Sequence, residues 1–380
     1  MDFELSEEQK MFREAIHQFA EKEIAPLVEE AEKTSTFPIQ LFPKMGGLGY
    51  LCLSYSPEYG AAGMGKVGEC IAVEEVAYYA VGIAAGTMVQ GGIGTAAINL
   101  HGSEDQKQKY LVPAIKGQKI AAFGLTEPNA GSDAASIETT ATKKNGKYVL
   151  NGTKIFITNG SICDFVVTAA VTDKSKGARG GISLFVVESG TAGFSRSKLH
   201  KFCARSGEIA ELSFEDCAVP EENLIGEEGQ GFPYLMESLM GGRISHAARS
   251  LGLARATFDA TIEYAKERVQ FGQPIAKFQA NAFKLARMDM EINAARWVIY
   301  NAAWLYDQGK PYRKQAAMAK LFASEVAAHV TTEGMQIHGG YGLMEESVAQ
   351  RYFRDARLGT ITEGTSEIQL LVISRELGIR

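Results

Sequence analysis

Four short stretches hold the residue types from which a binding or reacting site could be built. FGLTEPNAGSD (residues 123–133) sets two hydroxyls, Thr126 and Ser132, about Gly131, where backbone can approach a ligand closely. Its hydroxyls and N–H groups suit an anion, and they suit a polar β-turn equally well. KIFITNG (residues 154–160) puts Phe156 and Thr158 two positions apart, on one face of a strand. That face can carry a stacking ring and a hydrogen bond, and an ordinary half-buried strand shows the same alternation. Arg268 heads RVQFGQPI, and its fork of donors suits a phosphate, although alone it reads as a solvated helix residue. The last stretch, TITEGTSEIQLLVISRELGIR, sets one carboxylate, Glu363, between Thr362 and Gly364, behind the basic run RYFRDAR. Taken alone, such an acid reads as a helix N-terminal residue stabilised by the macrodipole.

The elements that must hold these residues change texture twice. Ser6 with Gln9 forms a capping-box pattern, and Phe12, Ile16, Phe19 and Leu27 recur at helical spacing. Pro26 kinks this helix or starts a new one. EDQKQKYLVPAIKG is a further amphipathic piece, expected to stop near Pro113 and Gly117. From Lys119 the pattern alternates, and Asn145-Gly146 and Asn151-Gly152 both read as tight hairpin turns. DFVVTAAVTD, ISLFVVES and AELSFED continue as strands until GEEGQGF. From about Pro233 long alanine-rich segments return, with the small residues that close helix packing needs. The expected fold class is α+β multidomain. A helical domain spans residues 1–118, a central β-domain 119–232, and a four-helix-bundle-like domain 233–380, with a cleft where they meet.

Composition narrows the partners. The 380 residues carry a formal net charge of −6, with no basic tract interleaved with aromatics, so nucleic acid is not an expected partner. The start, MDFELSEEQK, resembles neither a signal nor a transit peptide, and membrane insertion is not expected. Five scattered cysteines point to reduced thiols in a cytoplasmic setting, and six histidines show no metal-ligand spacing, so no metal is expected. GAAGMGKV (residues 60–67) almost spells a phosphate-binding loop but lacks the Ser or Thr that would reach magnesium; a glycine-rich loop between helices is the better reading.

Together with MQIHGGYG (residues 335–342), the four stretches occur in an order that resembles the flavin-dependent acyl-CoA dehydrogenases over essentially the full chain. The resemblance implies FAD as cofactor and that family's three-part helix–β–helix architecture. It implies that Leu125 and Thr126 face the flavin ring and that Gly131 and Ser132 lie at the pyrophosphate. Phe156 and Thr158 would flank the flavin; many relatives have tryptophan at the first of these, so the indole N–H is absent here. Arg268, Phe271, Gln279, Gln336, Gly339 and Gly340 would reach the FAD of a neighbouring subunit, which implies a homotetramer built as a dimer of dimers. Thr365 and Glu367 would meet the adenosine half.

Glu363 matches the family's catalytic base. A carboxylate in a dry pocket, its proton affinity raised by desolvation, can take the weakly acidic α-hydrogen of an acyl-CoA. The resemblance then implies an enolate held by the Glu363 N–H and a ribityl hydroxyl, with the β-hydrogen leaving to the flavin as hydride. Some relatives carry the base just before an arginine on an earlier helix; here that position is Gly242, beside Arg243, which leaves Glu363. Ser132, Met88, Arg243, Gly364 and Arg375 are further candidates for contact with the thioester or CoA. Thr362 replaces a frequent tyrosine, and Gly91 and Gly92 lie in the expected pocket floor. Both changes remove side-chain volume, so a branched or alicyclic acyl group such as cyclohexanecarboxyl-CoA is expected. A short straight chain of the butyryl type is the alternative, and a non-catalytic flavoprotein scaffold is the reading from another class. The expected electron acceptor is an electron-transfer flavoprotein.

Overall fold

A computed structural model describes residues 4–379. Its N-terminal helices are α1 (Glu7–Phe19), α2 (Ala25–Thr34), α3 (Leu41–Gly47), α4 (Gly65–Tyr79), α5 (Val81–Gly91), α6 (Ala96–His101), α7 (Glu104–Gln106) and α8 (Val112–Ile115). The Ser6–Gln9 capping box is formed. Pro26 stands in the first turn of the new helix α2, one of its two expected places, and Pro113 stands in the first turn of α8; each follows a π-turn, Ala20–Ile24 and Lys107–Leu111. The wider turn releases the backbone bond that proline cannot make, so the first run stays helical to the left-handed Ser35 and the second ends just before the left-handed Gly117, as expected.

The strands are β1 (Ala121–Gly124), β2 (Thr140–Lys144), β3 (Lys147–Thr158), β4 (Phe165–Val171), β5 (Ile182–Glu188), β6 (Phe194–Lys198) and β7 (Ile209–Pro220), with the short helix α9 (Ala178–Gly181) before β5. They form one sheet of order β1-β4-β2-β3-β7-β6, with β5 added on β4. Asn145-Gly146 makes the expected two-residue hairpin between β2 and β3, with φ of 52° and 72°. Asn151-Gly152 does not turn the chain. It lies inside β3, where the partner strand carries an extra left-handed residue, Asp216, and Asn151 Oδ1 accepts the Asp216 N–H at 2.8 Å. The pair serves a bulge that coils the sheet.

The chain then runs through α10 (Gly231–Glu267), the small hairpin β8 (Val269–Gln270) and β9 (Gln273–Pro274), α11 (Gln279–Asp307), α12 (Arg313–His338), α13 (Val348–Ile361) and α14 (Ser366–Glu376). Helix α10 is the central member, packed on α12, α4, α11 and α13. Its buried face includes Gly242, Arg243, His246, Arg249 and Ser250, at helical spacing and far more polar than a core face usually is. The segment 81–101 is apolar and long enough to cross a membrane by composition alone, and 89% of its apolar 18-residue window is buried within the fold. The near-P-loop at residues 60–67 leads into α4, whose first N–H groups are already taken: Asp307 accepts from Lys66 at 2.6 Å and from Val67 at 3.0 Å. A side-chain carboxylate fills the anion place that a phosphate would need.

Candidate active site

Glu363 lies in the break between α13 and α14. Thr362 ends α13, and Thr365 caps α14 by accepting from the Ile368 N–H. Between them Glu363 (φ 57°) and Gly364 (φ 85°) are both left-handed. Glycine tolerates this, whereas a glutamate there is uncommon and strained. The acid in the first turn of α14 is Glu367, so the macrodipole reading belongs to Glu367 and not to Glu363. The turn aims the Glu363 side chain at α10: a Cβ on Gly242 would sit 3.3 Å from Glu363 Oε2 and 3.4 Å from Ile93 of the loop after α5. Any side chain at Gly242 would press on the carboxylate.

Glu363 Oε2 is shielded from solvent and has no hydrogen-bond partner among the described residues. Burial raises the carboxyl's proton affinity, and the cations Arg249, Arg243 and Lys320 partly oppose it. The backbone is anchored more firmly than the side chain. Gln369 Nε2 donates to the carbonyls of Glu363 (3.1 Å) and Gly364 (2.9 Å), and Lys320 Nζ donates to the Gly364 carbonyl at 2.6 Å. A fixed main chain carrying a half-buried carboxylate whose shielded Oε2 has no partner among the described residues can accept a proton on that oxygen without first breaking a bond.

The volume expected from Thr362, Gly91 and Gly92 is not open. Thr362 Oγ1 lies 2.7 Å from His246 Nε2 and 3.3 Å from an Arg249 nitrogen, and Arg249 in turn lies 2.5 Å from His246 Nε2. An arginine only donates, so the histidine nitrogen accepts. His246 is neutral, because burial and the charges of Arg249 and Lys320 hold its pKa well below the usual value. A Cβ on Gly91 would lie 2.8 Å from the Cys52 Cα, and one on Gly92 would lie 2.9 Å from the Met88 carbonyl oxygen. Both glycines therefore serve close backbone packing. Met88 and Gly91 do wall a cavity of about 30 Å³ with Tyr50, Cys52, Glu69 and Thr87. That is room for a water molecule or two and not for a ring.

The candidate cofactor residues fall into two groups. In the first, the Ile155 N–H donates to the Thr126 carbonyl at 2.8 Å, which lays the 123–133 segment along the end of β3. Lys154, wholly buried, reaches the Leu125 carbonyl at 3.2 Å and Glu127 Oε1 at 2.6 Å, and Glu127 also takes the N–H groups of Glu138 and Thr139. Phe156 sits in a bulge of β3 at φ 61° and is 62% exposed, and half-buried Thr158 stands beyond buried Ile157; the bulge interrupts the regular alternation that the sequence suggests, though both residues remain off the buried face. Ser132 is exposed, and Gly131 has nothing within 4 Å of where a Cβ would be. A bare aromatic face beside half-buried Leu125 and Thr126, with an open glycine and hydroxyl beyond, is the donor set a flavin and its pyrophosphate would require. In the second group the Arg268 guanidinium lies 5.2 Å over the Tyr341 ring. Phe271 is 94% exposed, and Gln279, Gln336, Gly339 and Gly340 are exposed beside it in sequence or fold. Arg268 follows the far end of α10, roughly 37 Å along the helix from Gly242. It is out of reach of the carboxylate in its own chain. Arg375 is exposed in the last turn of α14, where a cation suits the helix C-terminus.

Sequence reasoning missed Lys154, Glu127, Lys320, Gln369, His246 and Arg249. The available signal was a charge where the pattern calls for an apolar residue: a lysine beginning the strand run KIFIT, a lysine amid the alanines of AAMAKLFASE, and an arginine in HAARSLGLA.

Comparison with known proteins places this arrangement. The models of the acyl-CoA dehydrogenase N-terminal, middle and C-terminal domains match residues 6–118, 122–217 and 229–378. A short-chain-specific acyl-CoA dehydrogenase of Clostridium acetobutylicum is 46% identical over 378 residues, covering 99% of this chain and 100% of the relative. The structure of butyryl-CoA dehydrogenase from Megasphaera elsdenii superposes with a TM-score of 0.96 at 45% identity, covering 99% of this chain and 100% of the other. A chain from a structural study of the electron transferring flavoprotein of Acidaminococcus fermentans has a TM-score of 0.97 at 46% identity, with 99% of each chain covered.

Proposed function

The chain belongs to the acyl-CoA dehydrogenase family, and from that premise we propose that it desaturates a short straight-chain acyl-CoA between its α and β carbons, with Glu363 as the base. The family makes it a flavin-dependent oxidoreductase. The observation that carries the assignment of the base is the shielded, partnerless Oε2 of Glu363 lying against Gly242. Glu363 takes the α-proton on that oxygen, and the neutral carboxyl then relieves the penalty of a buried charge. Gly242 leaves the space that the carboxylate occupies, and Gln369 and Lys320 hold the turn that carries it. Leu125, Thr126, Gly131, Ser132, Phe156 and Thr158 would hold FAD. When bound, FAD supplies the two-electron acceptor for the β-hydrogen.

The short-chain reading replaces the expectation of an alicyclic group. It is supported by the relatives named short-chain specific and butyryl-CoA dehydrogenase, and by the engagement of Thr362 and Gly91 in packing. Anaerobic titration with a panel of thioesters tests it. Butyryl-CoA is expected to bleach the flavin faster than cyclohexanecarboxyl-CoA by about tenfold or more. Faster bleaching by the ring thioester would return the assignment to the alicyclic substrate.

Because burial lifts the Glu363 carboxyl above its ordinary 4.5, the acid limb of kcat/KM for flavin reduction is expected above pH 4.5. The base works ionised, so activity falls as pH drops through the raised value. The same shift makes the ionised group a cost to the fold that is complete above the raised value and absent below 4.5. A limb at or below 4.5 would contradict a desolvated base.

A homotetramer is part of the proposal. Phe283, Met290, Trp297 and Trp304 recur every seventh residue along α11 and are 64%, 61%, 49% and 46% exposed, an apolar stripe that a partner helix would cover. A second chain would also bring an Arg268 cluster to a flavin that its own chain cannot reach. An electron-transfer flavoprotein as acceptor is supported by the family and by the Acidaminococcus neighbour. All five thiols are free and buried, which suits the expected cytoplasmic setting.

A further inference from the structure

We propose that Lys320 is a positioning residue for the reaction, holding the left-handed Glu363–Gly364 turn through the Gly364 carbonyl while its charge steadies the ionised base. The inference rests on Glu363 being that base. Lys320 lies on α12, 43 positions before Glu363, and its side chain is wholly buried among alanines. Its ammonium donates to the Gly364 carbonyl at 2.6 Å and, among the described residues, forms no ion pair. A buried ammonium with only a peptide carbonyl for company is expensive, and burial brings its pKa down to about 8.

A neutral donor would satisfy that carbonyl without the penalty. Gln369, also fully buried, already does so, bonding the same oxygen at 2.9 Å. What glutamine lacks is charge, and the carboxylate that acts most strongly on Lys320 is Glu363. The groups facing the pair are Arg243, His246 and Arg249 from α10 and Glu367 from α14. His246 is neutral, and Glu367 is exposed at the surface. The working charges are therefore three cations about one shielded carboxylate, and only Lys320 among the cations also bonds the turn's main chain. Two consecutive left-handed residues need such an anchor, because a displacement of an ångström at a reacting group costs about a hundredfold in rate.

The test compares Lys320→Met, Lys320→Gln and Lys320→Arg with the parent as purified FAD-loaded protein. Flavin content, the denaturant midpoint and the pH profile of flavin reduction by butyryl-CoA are recorded for each. Lys320→Met is expected to stay yellow, to reduce its flavin about 10- to 100-fold more slowly, and to move the acid limb to higher pH, since removing a cation raises the proton affinity of the base. Lys320→Gln keeps a donor and should share the displaced limb, whereas Lys320→Arg should restore its position. If Lys320→Met does not fold, the Gln and Arg limbs decide the matter. A parental rate and limb in Lys320→Met and Lys320→Gln overturns the proposal, and so does a slower rate with an unmoved limb, which is loss of packing alone. Glu363→Gln, measured in parallel, separates the two ideas. If it is active, the base assignment falls; if it is inactive while Lys320→Met behaves as the parent, only the role of Lys320 falls.

Discussion

Glu363→Gln is expected to lower the rate of flavin reduction by butyryl-CoA about 10²- to 10⁴-fold, the span that a positioned general base supplies, with flavin and thioester still bound. The substitution keeps shape and length and removes only the ability to take the proton. It breaks no hydrogen bond at Oε2, since none is made there among the described residues. The anchors of the turn act on the Glu363 and Gly364 carbonyls and so remain in place. Removing the negative charge leaves Arg243, Arg249 and Lys320 facing one another without compensation, which offsets the relief of no longer burying a carboxylate. The unfolding midpoint should therefore move far less than the rate. Rapid-mixing absorbance of the flavin, with bound flavin counted beforehand, reads both. A variant that reduces its flavin at more than about a tenth of the parental rate would remove Glu363 from the chemistry.

The three-part architecture was legible because each texture has its own physical period, and the change from helical spacing to alternation near Lys119 precedes β1 at Ala121. Local signals were reliable where they were self-contained. The Ser6–Gln9 box and the Asn145-Gly146 hairpin need nothing from the rest of the chain. They failed where a distant residue decides the outcome. Asn151-Gly152 is chemically the same dipeptide as Asn145-Gly146, yet Asp216 on a neighbouring strand turns it into a bulge. The apparent phosphate loop at 60–67 is the glycine-rich loop between helices that its sequence suggests; only its closure by Asp307, some 240 positions later, lay beyond local reading. Pro26 begins a new helix and Pro113 stands near the end of its own, both as expected, but the π-turn before each was not legible, since nothing in a helical hydrophobic period announces one.

The same division runs through the site. Glu363 and Gly364 stand next to each other in sequence, and a sharp turn at the glycine could be read directly, whereas the left-handed backbone of Glu363 itself could not. That Gly242 is where the carboxylate rests was legible only in part: its lack of a side chain excluded it as a base, while the contact itself is a property of packing. The missing volume at Thr362 and Gly91 led toward a wide pocket. A sequence shows the atoms a substitution removes and not the neighbours that move in, here His246, Arg249 and the Cys52 backbone. Lys320 was invisible for the opposite reason, since a lysine on a helix is ordinarily solvated and only its neighbours show it to be enclosed.

Lys154→Met is expected to cost about 3–5 kcal/mol of folding stability, the usual penalty for stripping one partner from a buried pair, and to release the flavin. Lys154 and Glu127 are almost wholly buried and meet at 2.6 Å. Glu127 is held ionised, its pKa below the usual value, by Lys154 and the N–H groups of Glu138 and Thr139, with burial acting against them. Lys154 is the less firmly charged half, because burial draws its pKa down to about 8. Methionine fills the lysine's stem and leaves the carboxylate facing no cation. It also lets go of the Leu125 carbonyl, which Lys154 grips at 3.2 Å, so the segment bearing Leu125 and Thr126 keeps only its main-chain tie from the Ile155 N–H to the Thr126 carbonyl. A double variant, Lys154→Met with Glu127→Leu, divides these effects. An apolar pair of similar volume can restore much of the stability, but it cannot restore the bonds to the Leu125 carbonyl and to the two N–H groups. The double variant should therefore unfold nearer the parental denaturant midpoint while still emerging from purification colourless. A yellow single variant with an unchanged midpoint would show that the pair neither stabilises the sheet nor places the flavin segment.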